Sequence, residues 1–302
     1  MKTPENIDVL DLQFLEESHV IANYLIPSSD GLILIETGPE TTFENLKKAI
    51  QNAGHSWKDV KHVFLTHIHF DHAGAAWKFA ENNAKIYVHP IGLPHLNQPE
   101  KLWNSAKRIY QEDMERLWGE MKPIDKNLLI PAEDGDEFTI GEFNIKTHYT
   151  PGHAIHHNAY QFGEIVFTGD VAGVKINQGP VVPPCPPPDI DVGAWKNSIE
   201  KIKKLQPKAL YLAHYGKVEE VEKHLNDLSA IIDDWAGWIK KHYDKEASPD
   251  EITPEFIEYT QNQLREKGVS EEDIEKYEKG NPSFMSVTGL MRYWKLKEQG
   301  RL

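Results

Sequence analysis

The order of apolar and polar residues along the chain predicts two strand-rich blocks, each followed by helix. Short apolar or alternating runs predict strands at 9–15, 20–27, 32–35, 63–65 and 86–88. A second group of strands is expected at 137–140, 143–149, 159–162, 165–167 and in the run that ends at 214. Apolar residues recur with helical spacing at 43–53, 73–83 and 192–205. Two sheets covered by helices on their outer faces would satisfy this order.

Polar groups of one chemical kind stand where several of these strands end. The run Thr66-His-Ile-His-Phe-Asp-His72 places three imidazoles and a carboxylate within six residues, directly after an apolar segment. In extended chain, side chains two residues apart share a face, so we expect His67, His69 and Asp71 to point together. His72 would reach in from the turn that follows. Such density of ligand-type side chains favours a metal site.

Three further residues occupy similar positions. His153, Asp170 and His214 each follow a strand-like run, the first two next to a glycine. Loops at strand ends are where sheet proteins carry much of their chemistry. Imidazole and carboxylate without thiolate suit divalent zinc, manganese, iron or cobalt, and the single cysteine, Cys185, lies outside any ligand spacing.

Together these residues resemble the metallo-β-lactamase superfamily, most closely its glyoxalase II-like branch. The resemblance covers about the first 220 residues and implies an α/β (α+β) fold, an αββα four-layer sandwich, with two divalent ions at one edge. Zinc is expected first, with iron or manganese as alternatives. By this likeness one ion is held by His67, His69 and His153, the other by Asp71, His72 and His214, and Asp170 bridges the two.

Three positions narrow this resemblance. Glu36 precedes Thr37-Gly38, where the family usually has aspartate, and the longer side chain is expected to be tolerated. One group of true β-lactamases has cysteine at the position of Asp170, and the flavodiiron branch has glutamate at the position of His69. Both differences weigh against membership of those two groups.

Two metals that share a water molecule lower its pKa towards about 7, which produces a nucleophilic hydroxide at neutral pH. We expect Asp71 to orient this hydroxide and to carry its proton to the leaving group. The sequence therefore predicts a metal-dependent hydrolase acting on a small ester, thioester or lactone. Two alternatives stay open: an oxidoreductase resembling the mononuclear iron persulfide dioxygenases, and a phosphodiester or phosphotriester hydrolase.

The catalytic domain is expected at 1–218, and its residues 91–130 form a helical insertion. The apolar side chains of this insertion either pack on the core or cap the metal cleft. The proline-rich loop at 181–188 is either a wall of the site or a rigid connector. Side chains expected to contact substrate are Trp103, Tyr110, Trp118, His157 and Tyr215. His156, beside His157, is a further candidate for contacting substrate or the metal ligands.

Residues 219–302 are expected to form a C-terminal helical region, with Ser248 and Ser270 beginning two of its helices. Its apolar end, 284–294, would pack on the core, close over the cleft or contact a second subunit in a homodimer. Positions 219–279 carry 18 acidic and 8 basic residues, so most of the net charge of −14 lies here.

Composition limits the partners. No basic stripe is present to neutralise phosphates, so no nucleic-acid partner is expected. No run approaches the ~20 apolar residues that span a bilayer, and we do not expect the first residues to form a signal peptide. With one cysteine, no internal disulfide can form. We therefore expect a cytoplasmic enzyme with a small-molecule substrate and no membrane partner.

Overall fold

The computed structural model describes residues 2–302, which form two six-stranded sheets. The first sheet has its strands in chain order, β1 to β6. The strands are Asp8–Asp11, Ala22–Ser28, Gly31–Ile35, Val60–Phe64, Lys85–Val88 and Leu129–Pro131. Strands β1, β2 and β3 pair antiparallel, whereas β3 to β6 are parallel. The carboxyl ends of β3, β4 and β5 therefore meet at one edge.

The second sheet has the order β12-β11-β10-β9-β8-β7. In chain order its strands are Glu137–Ile140, Phe143–Tyr149, Asn158–Phe162, Ile165–Val174, Ala209–His214 and Gly216–Val218. Strands β10 and β11 are parallel, and every other neighbouring pair is antiparallel. The parallel pair again carries two chain segments to a common edge.

Eleven α-helices accompany the sheets in the described part of the chain. Helices α1 to α6 lie between strands of the first sheet, at Phe43–Asn52, Phe70–Ala73, Ala76–Glu81, Leu93–Asn97, Glu100–Tyr110 and Met114–Trp118. Helices α7 to α11 follow at Val192–Lys204, Val221–Tyr243, Pro249–Glu266, Glu271–Gly280 and Ser283–Glu298. Within residues 2–302, no helix is both long enough and apolar enough to cross a membrane.

The core between the two sheets is rich in aromatic side chains. Phe64 stacks on Tyr87 of its own sheet and meets Tyr160 of the other edge-to-face, with ring centroids 5.0 Å apart. The Tyr160 hydroxyl donates across the gap to Leu65 O at 2.9 Å. Separate apolar cores lie between each sheet and its outer helices. Helix, sheet, sheet and helix thus form four layers, so the predicted αββα sandwich is confirmed.

Several predicted boundaries differ for local reasons. The first strand ends at Asp11 because Gln13 and Leu15 adopt positive φ of 48° and 54°, which breaks extended structure. The helix predicted at 73–83 is two short helices, α2 and α3. Strand β10 continues to Val174, seven residues past the predicted end, because its last residues pair irregularly with β11.

The helical insertion is shorter than predicted, since β6 begins at Leu129 and pairs with β5. The C-terminal helices pack on the outer face of the second sheet and share its apolar core. Helix α11 approaches the proline-rich loop so closely that a Cβ at Gly289 would lie 1.9 Å from Cys185 O. Of the three placements expected for 284–294, packing on the core is seen for Val287, Leu290 and Tyr293 of α11.

Candidate metal centre

The segment that follows β4 combines a short extended stretch with the first turn of a helix. Ile68 and Phe70 are buried in the core, which turns the neighbouring polar side chains towards the sheet edge. The predicted extended alternation ends at His69, which occupies the N-cap of α2. Asp71 and His72 therefore reach the centre from a helical turn rather than from a strand, because a helix begins earlier than expected.

The first ligand set consists of His67, His69 and His153. His67 Nε2 lies 3.0 Å from His69 Nδ1, and His153 Nε2 lies 3.2 Å and 3.1 Å from these two atoms. Nitrogens that share one tetrahedral zinc at about 2.0–2.1 Å are about 3.3 Å apart. The three nitrogens thus have almost the spacing that one ion requires.

The second ligand set consists of Asp71, His72 and His214. Asp71 Oδ2 is 3.5 Å from His72 Nε2 and 3.3 Å from His214 Nε2. The ligand-type atoms of this second set all lie within 4.8 Å of one another, as do those of the first set. Two groups of three potential ligands are therefore present side by side.

Asp170 faces both ligand sets with different oxygens. Its Oδ2 is 3.3 Å from His153 Nε2, in the first set. Its Oδ1 is 3.4 Å from His72 Nε2 and 3.6 Å from His214 Nε2, in the second. This is the position that a bridging carboxylate would take between two ions.

The far nitrogens of the histidine rings fix which nitrogen faces the centre. His153 Nδ1 is 2.8 Å from Pro184 O, and His214 Nδ1 is 2.8 Å from Val20 O. A carbonyl oxygen accepts only, so each Nδ1 carries a proton, which leaves Nε2 as the nitrogen that would bind a metal ion. Such outer partners orient metal-binding histidines in proteins.

His153 also depends on the glycine before it. Gly152 has φ of 134°, and a Cβ there would lie 2.2 Å from Trp195 Cα on α7. Only glycine allows this turn to pack against the helix while directing the next side chain to the sheet edge.

Glu36 supports the ligand loop from behind. Its carboxylate accepts from Thr66 N at 3.2 Å and from the Thr66 hydroxyl, and Oε1 lies 3.2 Å from His72 Nδ1. The Thr66 hydroxyl is in turn 3.1 Å from His67 Nδ1. Glu36 is buried at φ of 62°, a conformation that costs a non-glycine residue free energy and is typical of functional sites. The glutamate carboxylate thus contacts both the ligand loop and His72.

Burial and mutual charge set the protonation of the first set. Burial, followed by the neighbouring imidazoles, holds the pKa of His67 well below its usual range and lowers the pKa of His69 to about 3. Burial likewise lowers the pKa of His153. These imidazoles are neutral at pH 7, which is the form that binds metal.

In the second set, nearby carboxylates outweigh the effect of burial on the pKa of His72. Burial would lower the pKa of His72, but Asp71, Asp170 and Glu36 raise it well above its usual value. Although burial opposes ionisation of Asp71 and Asp170, His72 and His214 hold the pKa of both carboxyls below its usual range. The carboxylates are therefore ionised and attract positive charge to this end of the centre.

The residues fit two divalent ions. His72 Nε2, His214 Nε2 and Asp170 Oδ1 are buried atoms without a hydrogen-bond partner, which is costly unless another group satisfies them. All three point towards the shared space between the ligand sets. Cys185 supplies no thiolate, because it is buried and burial raises its pKa. Nitrogen and carboxylate donors of this kind suit zinc and related divalent ions.

The centre opens into a cavity of about 990 Å³. Helices α5 and α6 of the insertion form one wall, the proline-rich loop forms another, and the turn between α10 and α11 forms a third. His69, Asp71, His153, Asp170 and His214 all contribute to the same lining. The insertion and the proline-rich loop therefore line the site as well as packing on the core.

Of the five side chains expected to contact substrate, two line the cavity and three do not. Tyr110 and Trp118 lie in the wall with ring centroids 5.2 Å apart. Trp103 instead packs on Phe70 and the core. His157 is buried, and its Nε2 accepts from Asp170 N at 3.2 Å. Tyr215 stacks on His19. For these three residues the structure gives no path to a substrate in the cavity.

His156 is the better candidate of the two adjacent histidines, because it lines the cavity. Burial, followed by the nearby His69 imidazole, holds the pKa of His156 well below the usual range, so the ring is neutral. The sequence distinguishes the two residues poorly, since both lie in the segment between β8 and β9 and only His156 lines the cavity.

Two ligand sets at one edge of an αββα sandwich define a metal-binding protein of this fold class. A family model described as the metallo-beta-lactamase superfamily matches residues 20–214. The chain therefore belongs to the metallo-beta-lactamase superfamily, which is metal-dependent and includes hydrolases. The match contains all seven residues of the two sets and the bridge.

Among similar proteins is the metallo-beta-lactamase fold-containing protein ST1585 of Sulfurisphaera tokodaii, 32% identical over 173 residues, which are 55% of this chain and 66% of the relative. The crystal structure of ST1585 superimposes with a TM-score of 0.60, covering 75% of this chain and 86% of that one. A hydroxyacylglutathione hydrolase of Hahella chejuensis is 25% identical over 162 residues, 50% of this chain and 47% of the relative. The chain spans about half to two thirds of the length of such curated relatives.

A second solved structure resembles the chain over almost its whole length. TTHA1429 from Thermus thermophilus, described as a metallo-beta-lactamase family protein, has a TM-score of 0.70. At 18% identity it covers 98% of this chain and 93% of its own. The C-terminal helices thus belong to a fold that another member of the family shares.

Proposed function

We propose that this protein is a hydrolase with two divalent metal ions, zinc first among them, that acts on a small carboxylic ester, thioester or lactone. The observation that carries the proposal is the position of Asp170, whose two oxygens face different ligand sets at 3.3 Å and 3.4 Å. A carboxylate in this position supports two ions rather than one. Two bound ions would polarise a carbonyl oxygen and lower the pKa of water between them.

The side chains of the protein supply the rest of the chemistry. Asp71 belongs to the second set and also lines the cavity, so a substrate can reach its carboxylate. The carboxylate is ionised, because His72 and His214 lower its pKa against the effect of burial. It can therefore accept a proton from an attacking water and donate it to the departing alcohol or thiol.

Tyr110 supports binding of a carbonyl group. It lines the cavity near Asp71, and burial, followed by the charge of Asp71, raises the pKa of its hydroxyl. The hydroxyl stays protonated at neutral pH and can donate a hydrogen bond to a substrate oxygen. Trp118, edge-to-face against Tyr110, limits where that ring can move.

The glyoxalase II-like assignment has weaker support. One relative is named as a hydroxyacylglutathione hydrolase, and that activity is stated of that protein. A thioester therefore belongs in the panel of substrates that we propose, alongside esters and lactones. A phosphoester belongs there too, because the same arrangement of ions would activate either kind of centre.

The experiment is a hydrolysis panel of lactones, thioesters, carboxylic esters and phosphoesters, with metal content measured on the same preparation. We expect turnover of at least one carboxylic ester, thioester or lactone and about two ions per chain. One iron per chain with thiol-dependent oxygen uptake would contradict the proposal and favour a mononuclear oxidoreductase. Turnover of phosphoesters alone would contradict the substrate class.

A further inference from the structure

The cavity above the metal centre has an unusual mouth. Six large apolar side chains are exposed in the described part of the chain, and four of them line this one cavity: Ile91, Ile109, Ile155 and Phe284. Scattered single apolar residues are normal on a protein surface, whereas a cluster around one opening marks a binding site. The apolar mouth, as we call these four residues, requires an explanation that hydrolysis alone does not provide.

The inner walls of the cavity are also lined by apolar side chains. Ile68, Phe70, Leu102 and Leu117 line the cavity. Prolines of the 183–188 loop and Met285 of α11 complete the wall opposite the insertion. At about 990 Å³ the cavity is at the upper end of ligand pockets, which span about 300–1,000 Å³. It is much larger than a small ester needs.

Charged side chains in the lining do not favour an anion. Lys279 pairs with Glu17 at 2.7 Å, and Arg116 pairs with Asp113 at 2.9 Å. Lys101 is exposed on α5. Asp189 and Glu278 line the same walls and add carboxyl groups rather than positive charge. A substrate that carries carboxylates, such as a glutathione thioester, would find little compensation for its charge here.

We propose that this cavity binds the aliphatic chain of a neutral ester or lactone, with the carbonyl at the metal centre and the chain running out between α5 and the start of α11. This inference rests on the proposed hydrolase function and specifies its substrate class. Each methylene of the aliphatic chain that leaves water favours binding, which increases the affinity roughly two- to fourfold per group.

The test is a series of neutral esters of one alcohol, with acyl chains of two to twelve carbons, together with the same series ending in a carboxylate. We expect kcat/KM to rise about two- to fourfold per methylene until the chain passes the mouth, and the carboxylate series to be at least tenfold poorer at equal length. Hydrolysis that is equally fast at two and ten carbons would overturn the inference and leave the hydrolase function intact.

Binding of compounds that cannot be hydrolysed distinguishes failure of the hydrolase function from failure of the proposed chain-binding site. The probes are 2-heptanone, 2-decanone and 2-tridecanone, neutral ketones that cannot be hydrolysed, titrated calorimetrically into the metal-loaded protein. We expect the dissociation constant to fall at least tenfold from the first to the last. If no ester is hydrolysed but the ketones follow this trend, the hydrolase function fails and the chain-binding site stands. Equal affinities for all three ketones would overturn the chain-binding site.

Substitutions at the apolar mouth test where the aliphatic chain of the ester binds. Ile109 and Phe284 are 37% and 39% exposed, so Ile109→Asp and Phe284→Asp should fold. We expect each to lower kcat/KM for the ten-carbon ester about tenfold and that for the two-carbon ester less than twofold. The matched control is Val9→Asp, at a 44% exposed residue on β1 outside the cavity, which should change neither. Equal losses for both esters in the mouth variants would contradict a chain-binding role.

Discussion

Replacing His214 with alanine tests whether the second ligand set holds an ion of its own. His214 Nε2 lies 3.3 Å from Asp71 Oδ2 and 3.6 Å from Asp170 Oδ1, and no residue of the first set contacts it among the polar contacts of the centre. The substitution removes one ligand of the second set and leaves the first complete. We expect the wild-type protein to bind two ions per chain and the variant to bind one.

The expected size of the effect follows from linkage. An ion that binds only the folded chain, at 100 to 1,000 times its dissociation constant, stabilises that chain by about 2.7–4.1 kcal/mol. At about 2.1 cal/mol/K per residue, a chain of 302 residues has an unfolding entropy near ~0.63 kcal/mol/K. Each ion therefore raises Tm by about 4–6 °C. Zinc should therefore raise Tm by about 8–12 °C in the wild type, which binds two ions, and by about 4–6 °C in His214→Ala, which binds one.

The assay is calorimetric unfolding of each protein with chelator and with zinc, together with elemental analysis of the metal. Each variant is compared with itself, because the substitution also removes the 2.8 Å contact to Val20 O and lowers the metal-free stability. His55→Ala, away from the centre, is the control and should behave as the wild type. Equal zinc shifts in the wild type and in His214→Ala, or two ions retained by the variant, would refute the two-set interpretation.

Three further substitutions test other parts of the centre. Asp71→Asn should lower kcat at least 10²-fold with an unchanged circular dichroism spectrum, since a proton carrier contributes 10²–10⁴; near-normal kcat would contradict its role. Tyr110→Phe should lower kcat/KM about 3- to 10-fold at unchanged metal content, the equivalent of one neutral hydrogen bond, and equal kcat/KM would exclude that bond. Glu36→Gln should weaken zinc binding about 10- to 100-fold in competition with a chromophoric chelator; unaltered affinity would show that its charge is dispensable.

The position of the centre could be predicted because its residues stand at strand ends. His67 and His69 follow β4, His153 comes four residues after the end of β8, and His214 is the last residue of β11, so sheet geometry brings all four close to one edge. Their approximate convergence could be predicted from the strands, whereas the final direction of His153 depends on the turn at Gly152. The helical approach of Asp71 and His72 was harder to predict, since Phe70 to Ala73 is a single turn with no long-range periodicity.

The walls of the cavity could not be predicted in the same way. The stripe of apolar residues in the insertion is equally consistent with a core face and with a pocket face, and α5 and α6 serve both purposes. Trp103 and Tyr110 lie seven residues apart on α5, yet Trp103 packs on Phe70 and Tyr110 lines the cavity. Which side chain faces the substrate depends on how the helix is tilted against distant parts of the chain, and helical spacing does not record that tilt.

One wall of the cavity lies outside the part of the chain that matches the family model. The match to the superfamily ends at residue 214 and includes every residue of the two ligand sets. The wall formed by the turn between α10 and α11, with Asn281, Phe284 and Met285, lies beyond it. Apolar walls also strengthen the centre, because the attraction between unit charges 4 Å apart rises from about 1 kcal/mol in water to about 4 kcal/mol at an effective dielectric constant of 20. Changes in these walls are therefore expected to alter both which substrate binds and how strongly the buried carboxylates act on it, while the ligand sets stay the same.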